Sequence, residues 1–327
     1  MQIFVWVVFS AGLLGFDIQT EAQAETIIRL GHLFPTTHFE HKGAIKLQEL
    51  IDTETNGKAK LEIFPASQLG NEKEMTEQVR SGALQITIGG GAIQQFVPEM
   101  QMNGLPGLWK GHDHFAHVLD SPVGEELRQM AEKKNIGLKV LGYTTTGIRH
   151  FMHRRKAISN TAEFEGVKIR VDNQPASAAI WRAVKANPVV IAFPEVYSAL
   201  QTGVIDAAEQ PACGTIAMKF YEQAKYHTLT GHQLTVMAFI VNQKWWDGLP
   251  AELSGQLKAA VAGYLPYRNQ LAKDADEGCI AKIKELGGTV IQLKDIEVFR
   301  KALRPIQKEF GDKYGVNDLI AEIIAMN

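Results

Sequence analysis

The stretch VVIAFPEVYSALQTGVIDAAE, residues 189–209, decides the fold because its plan occurs twice in the chain. It reads as a strand (VVIAFP, 189–194), a helix (EVYSALQT, 195–202), a glycine cap and a small-residue apolar strand (GVIDAAE, 203–209). The first copy runs LEIFP (61–65), a helix through Glu72–Arg80, then SGALQITIG (81–89). Both copies place Phe-Pro after the first strand and Gly before the last. A strand–helix–strand unit of this length suits a right-handed parallel crossover. Any α/β chain repeats such units, but the shared Phe-Pro and Gly positions tie these two together. One unit in each half predicts two lobes of related design.

Around the repeats, Ile27–Gly31 and Lys60–Phe64 read as short strands, with a helix from Phe39 to Glu54 between them that ends at Asn56-Gly57. Ala251 to Leu286 reads as one helix of about 54 Å, begun by Pro250 and stopped by Gly287-Gly288. Pro266 should kink it near the middle. A helix that long suits a course along both lobes better than a place in one core.

The chain has 327 residues, enough for two domains, and its 45% hydrophobic and 21% charged composition is that of a soluble globular protein. Its 34 basic and 36 acidic residues leave no nucleic-acid footprint. Ile3 to Phe16 is apolar apart from Ser10, and Ala22-Gln23-Ala24 fits a small-residue cleavage site, so residues 1–24 read as a secretory signal. The segment lacks the usual Lys or Arg. Cleavage would remove Asp17 and Glu21 and leave 34 charges of each sign. Cys213 and Cys279 are the only cysteines; an exported protein permits a disulfide, but the favoured reading is two separate half-buried thiols.

Few motifs carry chemistry. His112-Asp113-His114 with His117 invites a metal, but Asp113 equally suits a helix N-cap with the histidines on a solvated turn. No metal site is expected. Gly89-Gly90-Gly91 follows a strand without any phosphate-binding or dinucleotide pattern, so the glycines more simply let a ligand or another backbone come close. No nucleophile elbow is present, and neither cysteine has a helper motif. That leaves GVKIRVDNQP (166–175), where Arg170 sits among alternating apolar residues just before Asn173, Gln174 and Pro175 break the strand. Ligands of open α/β sheets bind beyond the carboxyl ends of strands, and a guanidinium there holds a carboxylate through two charge-assisted hydrogen bonds. A structural ion pair at the lobe boundary explains the same residue equally well.

The block GVKIRV…ANPVVIAFPEVYSALQTGVIDAAEQP resembles the signature of the solute-binding proteins of TRAP (tripartite ATP-independent periplasmic) transporters, the DctP or C4-dicarboxylate-binding family. GHLFPTTHFEHKG, FPASQLGNEKEM, FVPEM, SPVGEEL, FYEQAKYHTLTGH and VNQKWWDGLP extend the likeness over essentially the mature chain. The resemblance implies two α/β lobes with a ligand cleft between them, crossing hinge strands and a long lobe-spanning helix. It divides the chain into 25–146 with about 236–274, and 147–235 with about 275–327. It places Arg170 on the substrate carboxylate, Arg149 as its support, Asn173 as a polar contact, Phe193 as an aromatic wall and Glu72 near a ligand hydroxyl or amine. Gln210 stands where most members have Asn, and LPGLW (105–109) departs from the usual LPFLF-like run. Gly90 replaces a glutamate of sialic-acid-type members, so the glycines make room while Phe34, Trp109 and Phe193 supply apolar walls; Gln174 completes the candidate set. The ligand is expected to be an organic acid, with a monocarboxylate favoured.

The resemblance thus implies a monomeric, periplasmic, non-enzymatic protein with no cofactor that hands its acid to membrane permease subunits. Two alternatives remain at this stage. One is presentation of the ligand to a sensor kinase; the other is an exported hydrolase or lyase using Glu72 or Glu209 as general base.

Overall fold

The computed structural model describes residues 25–326; the expected secretory signal, 1–24, lies outside the described residues. Among these, the strands are β1 (Thr26–Gly31), β2 (Ala59–Phe64), β3 (Ile86–Gly89), β4 (Leu138–His153), β5 (Lys168–Val171), β6 (Asn187–Val190), β7 (Ala207–Pro211), β8 (Tyr226–Asn242) and β9 (Thr289–Gln292). The helices are α1 (Phe39–Thr55), α2 (Glu72–Ser81), α3 (His112–Leu119), α4 (Pro122–Lys133), α5 (Pro175–Ala183) and α6 (Val196–Thr202), then α7 (Ala212–Ala217), α8 (Gln243–Asp247), α9 (Ala251–Glu285), α10 (Ile296–Tyr314) and α11 (Asn317–Ala325).

The strands order as β2-β1-β3-β8-β4-β7-β5-β6, with β9 beside β8. Within this sheet the duplicated plan is visible. β1 lies parallel between β2 and β3, and β5 lies parallel between β6 and β7. Each repeat therefore closes across a central strand, and each builds one lobe. β4 and β8 join the lobes. They run antiparallel along their length, and one end of each pairs with the strands of one lobe: β3 with the end of β8, β7 with the end of β4. At 16 and 17 residues they extend roughly 50 Å, more than one lobe needs.

The β4–β8 register slips between Val140 and Gly142, between Thr145 and Gly147, and between Arg149 and Phe151. Such bulges bend and twist a strand, which suits the passage from one lobe to the other. Gly147 is required at the second slip. Its φ is +112°, and a Cβ there would stand 2.8 Å from Asp276 Oδ1.

Local chemistry sets the element ends. Asn71 and Glu74 form a reciprocal capping box at the start of α2, and Gly82 closes the helix at φ +85°. Asn56, at φ +50°, ends α1. The long helix α9 spans 35 residues without interruption at Pro266 and packs on α1 and β4, then on α7 and β9. Trp181 is fully buried among Phe151, Phe164 and Phe299 in the second lobe. Burying a large apolar side chain stabilises a fold by about 1.5–3 kcal/mol. Among the described residues, no helix is long and apolar enough to cross a membrane.

One expectation is corrected. Cys213 and Cys279 are bonded to each other, with Cα atoms 5.1 Å apart. The turn from β7 into α7 lays Cys213 against the second half of α9, which removes the 66-residue separation that made pairing look remote.

Candidate functional site

Arg170 stands at the carboxyl side of β5, where its side chain is buried between the lobes. Its Nε donates to the carbonyl of Ile191 at 2.9 Å, and its guanidinium lies 5.9 Å from the Phe193 ring centre. Among the described residues its two terminal nitrogens have no protein hydrogen-bond partner. They face a cavity of about 210 Å³ between Leu33, Asn71 and Glu72 of the first lobe and Asp172, Asn173 and Phe193 of the second. Burial lowers the Arg170 pKa and the nearby Arg149 charge adds to the effect, while Asp172 opposes it. An anion entering the cavity would relieve both costs.

Arg149 has a different partner. It lies on β4, and its Nε and Nη2 grip the carboxylate of Glu209 on β7. Nη2 also donates to the Glu209 carbonyl at 3.0 Å, and Nη1 to Thr235 Oγ1 at 3.2 Å. Burial, the largest influence on Glu209, pushes its pKa up; Arg149 and His232 outweigh it and hold the carboxyl down at about 2. His232 Nε2 is 3.4 Å from Glu209, and its Nδ1 is 2.8 Å from Thr230 Oγ1. Burial lowers the pKa of His232, while the neighbouring Glu209 opposes the shift. Glu209 is thus a committed counter-ion and a poor general base.

Glu72 opens α2 and turns into the cleft, where Oε1 accepts from the backbone N–H of Gly91 at 2.7 Å and Ala92 at 2.8 Å. Burial raises its pKa, the two backbone bonds oppose the rise, and Asp172 adds to it. Asp172 in turn accepts from the backbone N–H of Gln174 at 3.0 Å.

The structure brings four of the sequence-predicted residues to the cavity: Arg170, Asn173, Phe193 and Glu72. Phe34 stands behind the wall, stacked on His38 at 4.1 Å and edge-on to Phe193 at 5.4 Å. Gln210 is buried on β7 with its amide against Gly214. Trp109 is in the core of the first lobe, where Nε1 donates to the Asn103 carbonyl at 3.0 Å and the ring meets Phe115 edge-on. The space above Gly90 and Gly91 is taken by Met237, Asn173 and Gln174, so the room these glycines make is filled by the protein's own side chains. Asp172, Asn71 and Lys73 line the cavity and went unread. Their one signal in the sequence is adjacency to Arg170 and Glu72. The residues of the His112-Asp113-His114 motif turn to separate partners: Asp276 Oδ2 at 3.0 Å, Lys273, and the Ile323 carbonyl at 2.9 Å.

Residues 30–313 match the family described as bacterial extracellular solute-binding protein, family 7, DctP. The chain is 32% identical over 304 residues to the 2,3-diketo-L-gulonate-binding periplasmic protein YiaO of Escherichia coli K12, covering 93% of this chain and 92% of that protein. It is 30% identical to the C4-dicarboxylate-binding periplasmic protein DctP of Rhodobacter capsulatus, over 95% of this chain and 94% of that one. Among solved structures, a TRAP periplasmic solute-binding protein of Sulfurospirillum deleyianum with bound succinate superposes with a TM-score of 0.87 at 31% identity, covering 93% of this chain and 100% of its own.

Proposed function

The chain belongs to the bacterial extracellular solute-binding proteins of family 7, and from that premise we propose that it captures a small organic acid anion in the periplasm and delivers it to a TRAP permease. Arg170 clamps the carboxylate, and closure of the lobes buries the ligand in the form the permease recognises. The observation that carries this reading is a buried guanidinium with, among the described residues, only Nε engaged, facing a cavity of about 210 Å³ between the lobes. Two family likenesses, to a sugar-acid binder and to a C4-dicarboxylate binder, agree with an acid ligand and leave its body open.

A single carboxylate is favoured. Arg149, the other guanidinium nearby, is neutralised by Glu209, and the cavity wall carries two acids, Glu72 and Asp172, against the single further cation Lys73. A second carboxylate would meet those acids at close range, whereas a hydroxyl would find acceptors there. Val190, Ile191 and Phe193 give the remaining wall an apolar character.

The test is calorimetry of wild type, Arg170→Lys and Arg170→Ala against succinate, 2,3-diketo-L-gulonate, gluconate and lactate. Losing the planar two-point clamp, worth about 1.5–3 kcal/mol per charge-assisted bond, should weaken binding by roughly ten- to a hundredfold in Arg170→Lys, with the fold retained. Wild-type affinity in both variants would sink the clamp. Genes for two membrane permease subunits beside this one are the expected neighbours; a histidine kinase there instead would point to sensing.

A further inference from the structure

We propose that Gln174, seated in a socket of three glycines on the opposite lobe, is a latch that holds the two lobes closed. Gln174 sits at the N-terminal cap of α5, buried, and does not line the ligand cavity. Its Nε2 donates to Asp172 Oδ2 at 3.0 Å within its own lobe. Its Oε1 accepts from Gln94 Nε2, also at 3.0 Å, across the lobe boundary. Gln94 belongs to the short 3₁₀ turn Ala92–Gln95 of the first lobe, and the same Nε2 donates to the Gly90 carbonyl at 3.0 Å. The cross-lobe bond is therefore buried, aligned by a carboxylate on one side and a backbone carbonyl on the other.

The glycines show that this contact is built into the sequence. Gly90, Gly91 and Gly104 do not have left-handed backbones, so any residue could adopt their conformations; Gly91 has φ −102°. What forbids a side chain is the other lobe and the crossing strand. A Cβ on Gly104 would lie 2.6 Å from Gln174 Oε1 and 3.1 Å from Gln233 Nε2. On Gly91 it would lie 2.9 Å from Gln174 Cγ and collide with Asn173 Oδ1. On Gly90 it would stand 2.8 Å from the Val236 carbonyl of β8 and 3.2 Å from Met237 Sδ. Two of these unstrained glycines, Gly91 and Gly104, are explained by the need to admit Asn173 and Gln174 when the lobes meet, while Gly90 is held bare by the crossing strand β8. Gln174 is a positioning residue in this scheme: it sets the closed geometry around Arg170 without touching the ligand.

The latch rests on lobe closure as the working motion of the proposed function, so its test reads the motion without a ligand. Spin labels on Asp52→Cys in α1 and Arg182→Cys in α5, exposed on opposite lobes, report the lobe separation with the Cys213–Cys279 bond intact. Ligand-free wild type should show a closed component. Gly91→Ala, which adds one methyl into the socket, and Gln174→Leu, which keeps the bulk and removes the bond, should each lower the closed-to-open ratio by about threefold to tenfold. Adding Gln94→Leu to Gln174→Leu should change little more, as expected for partners in one bond. Distance distributions identical in wild type and both variants, whether all open or all closed, overturn the latch. So does a lower thermal midpoint with an unchanged distribution, which marks a static lobe interface. A panel of acids that fails to bind wild type would sink the proposed function and leave this measurement standing.

Discussion

Arg170 and Arg149 carry the same charge on neighbouring parts of one cleft, yet among the described residues only Arg149 is paired with a carboxylate. The difference is Glu209, which takes Nε and Nη2 of Arg149 and leaves Arg170 with a single carbonyl partner. Buried histidines make a second testable statement at this scale. Burial lowers the imidazoles of His32 and His227 from 6.5 to about 4. As pH falls from 6.5 towards 4, the unfolded chain binds protons that the folded chain refuses, so stability declines across that window. The thermal midpoint should fall steadily between pH 6.5 and 4, and more gently in His227→Asn; a flat midpoint there would show that both rings are solvated. Below that range Glu209 contributes. Its folded pKa of about 2 lies under the ordinary 4.5, so its stabilisation is complete above 4.5 and is lost as pH drops towards 2. Arg170 was legible in the sequence as a charge at a strand end. The commitment of Arg149 was not, because its partner is 60 residues away and the two meet only through the β4–β7 register.

The elements the sequence shows most clearly are those with strong local chemistry. The α1 and α2 helices run to Thr55 and Ser81, each one residue beyond the expected Glu54 and Arg80, before the Asn56 and Gly82 caps, and the long helix occupies Ala251–Glu285, one residue short of the expected Leu286. The expected kink at Pro266 is not accompanied by a break in the helix. The disulfide is the clearest failure of local reading at this scale, since it joins α7 to α9 across 66 residues. Closing a loop of that length restricts the unfolded chain by up to about 4 kcal/mol in the chain-entropy view. Cys213→Ala with Cys279→Ala should therefore unfold at lower urea concentration, with a stability loss of roughly 2–4 kcal/mol. An unchanged midpoint would show that the unfolded chain is already confined without the bond.

At the scale of the whole molecule, one sheet carries two copies of a β-α-β-α-β plan, and two long strands tie them together. A ligand that contacts both copies stabilises the folded, closed form and not the unfolded chain, by about 2.7 kcal/mol at a hundred times its dissociation constant. Thermal melting against a panel of organic acids should thus reveal the cognate acid as a clear rise in midpoint, and a panel with no rise would argue against an acid ligand. The duplicated units, the long helix and the charged strand end at Arg170 were determined by the sequence alone, because periodicity, capping and turn chemistry belong to residues that are neighbours in the chain. The pairing of Arg149 with Glu209, the bond between Cys213 and Cys279, and the filling of the glycine socket by Gln174 were decided only by tertiary structure. Each joins residues 60 to 80 positions apart, and such contacts exist only after sheet register and lobe closure have brought distant segments together.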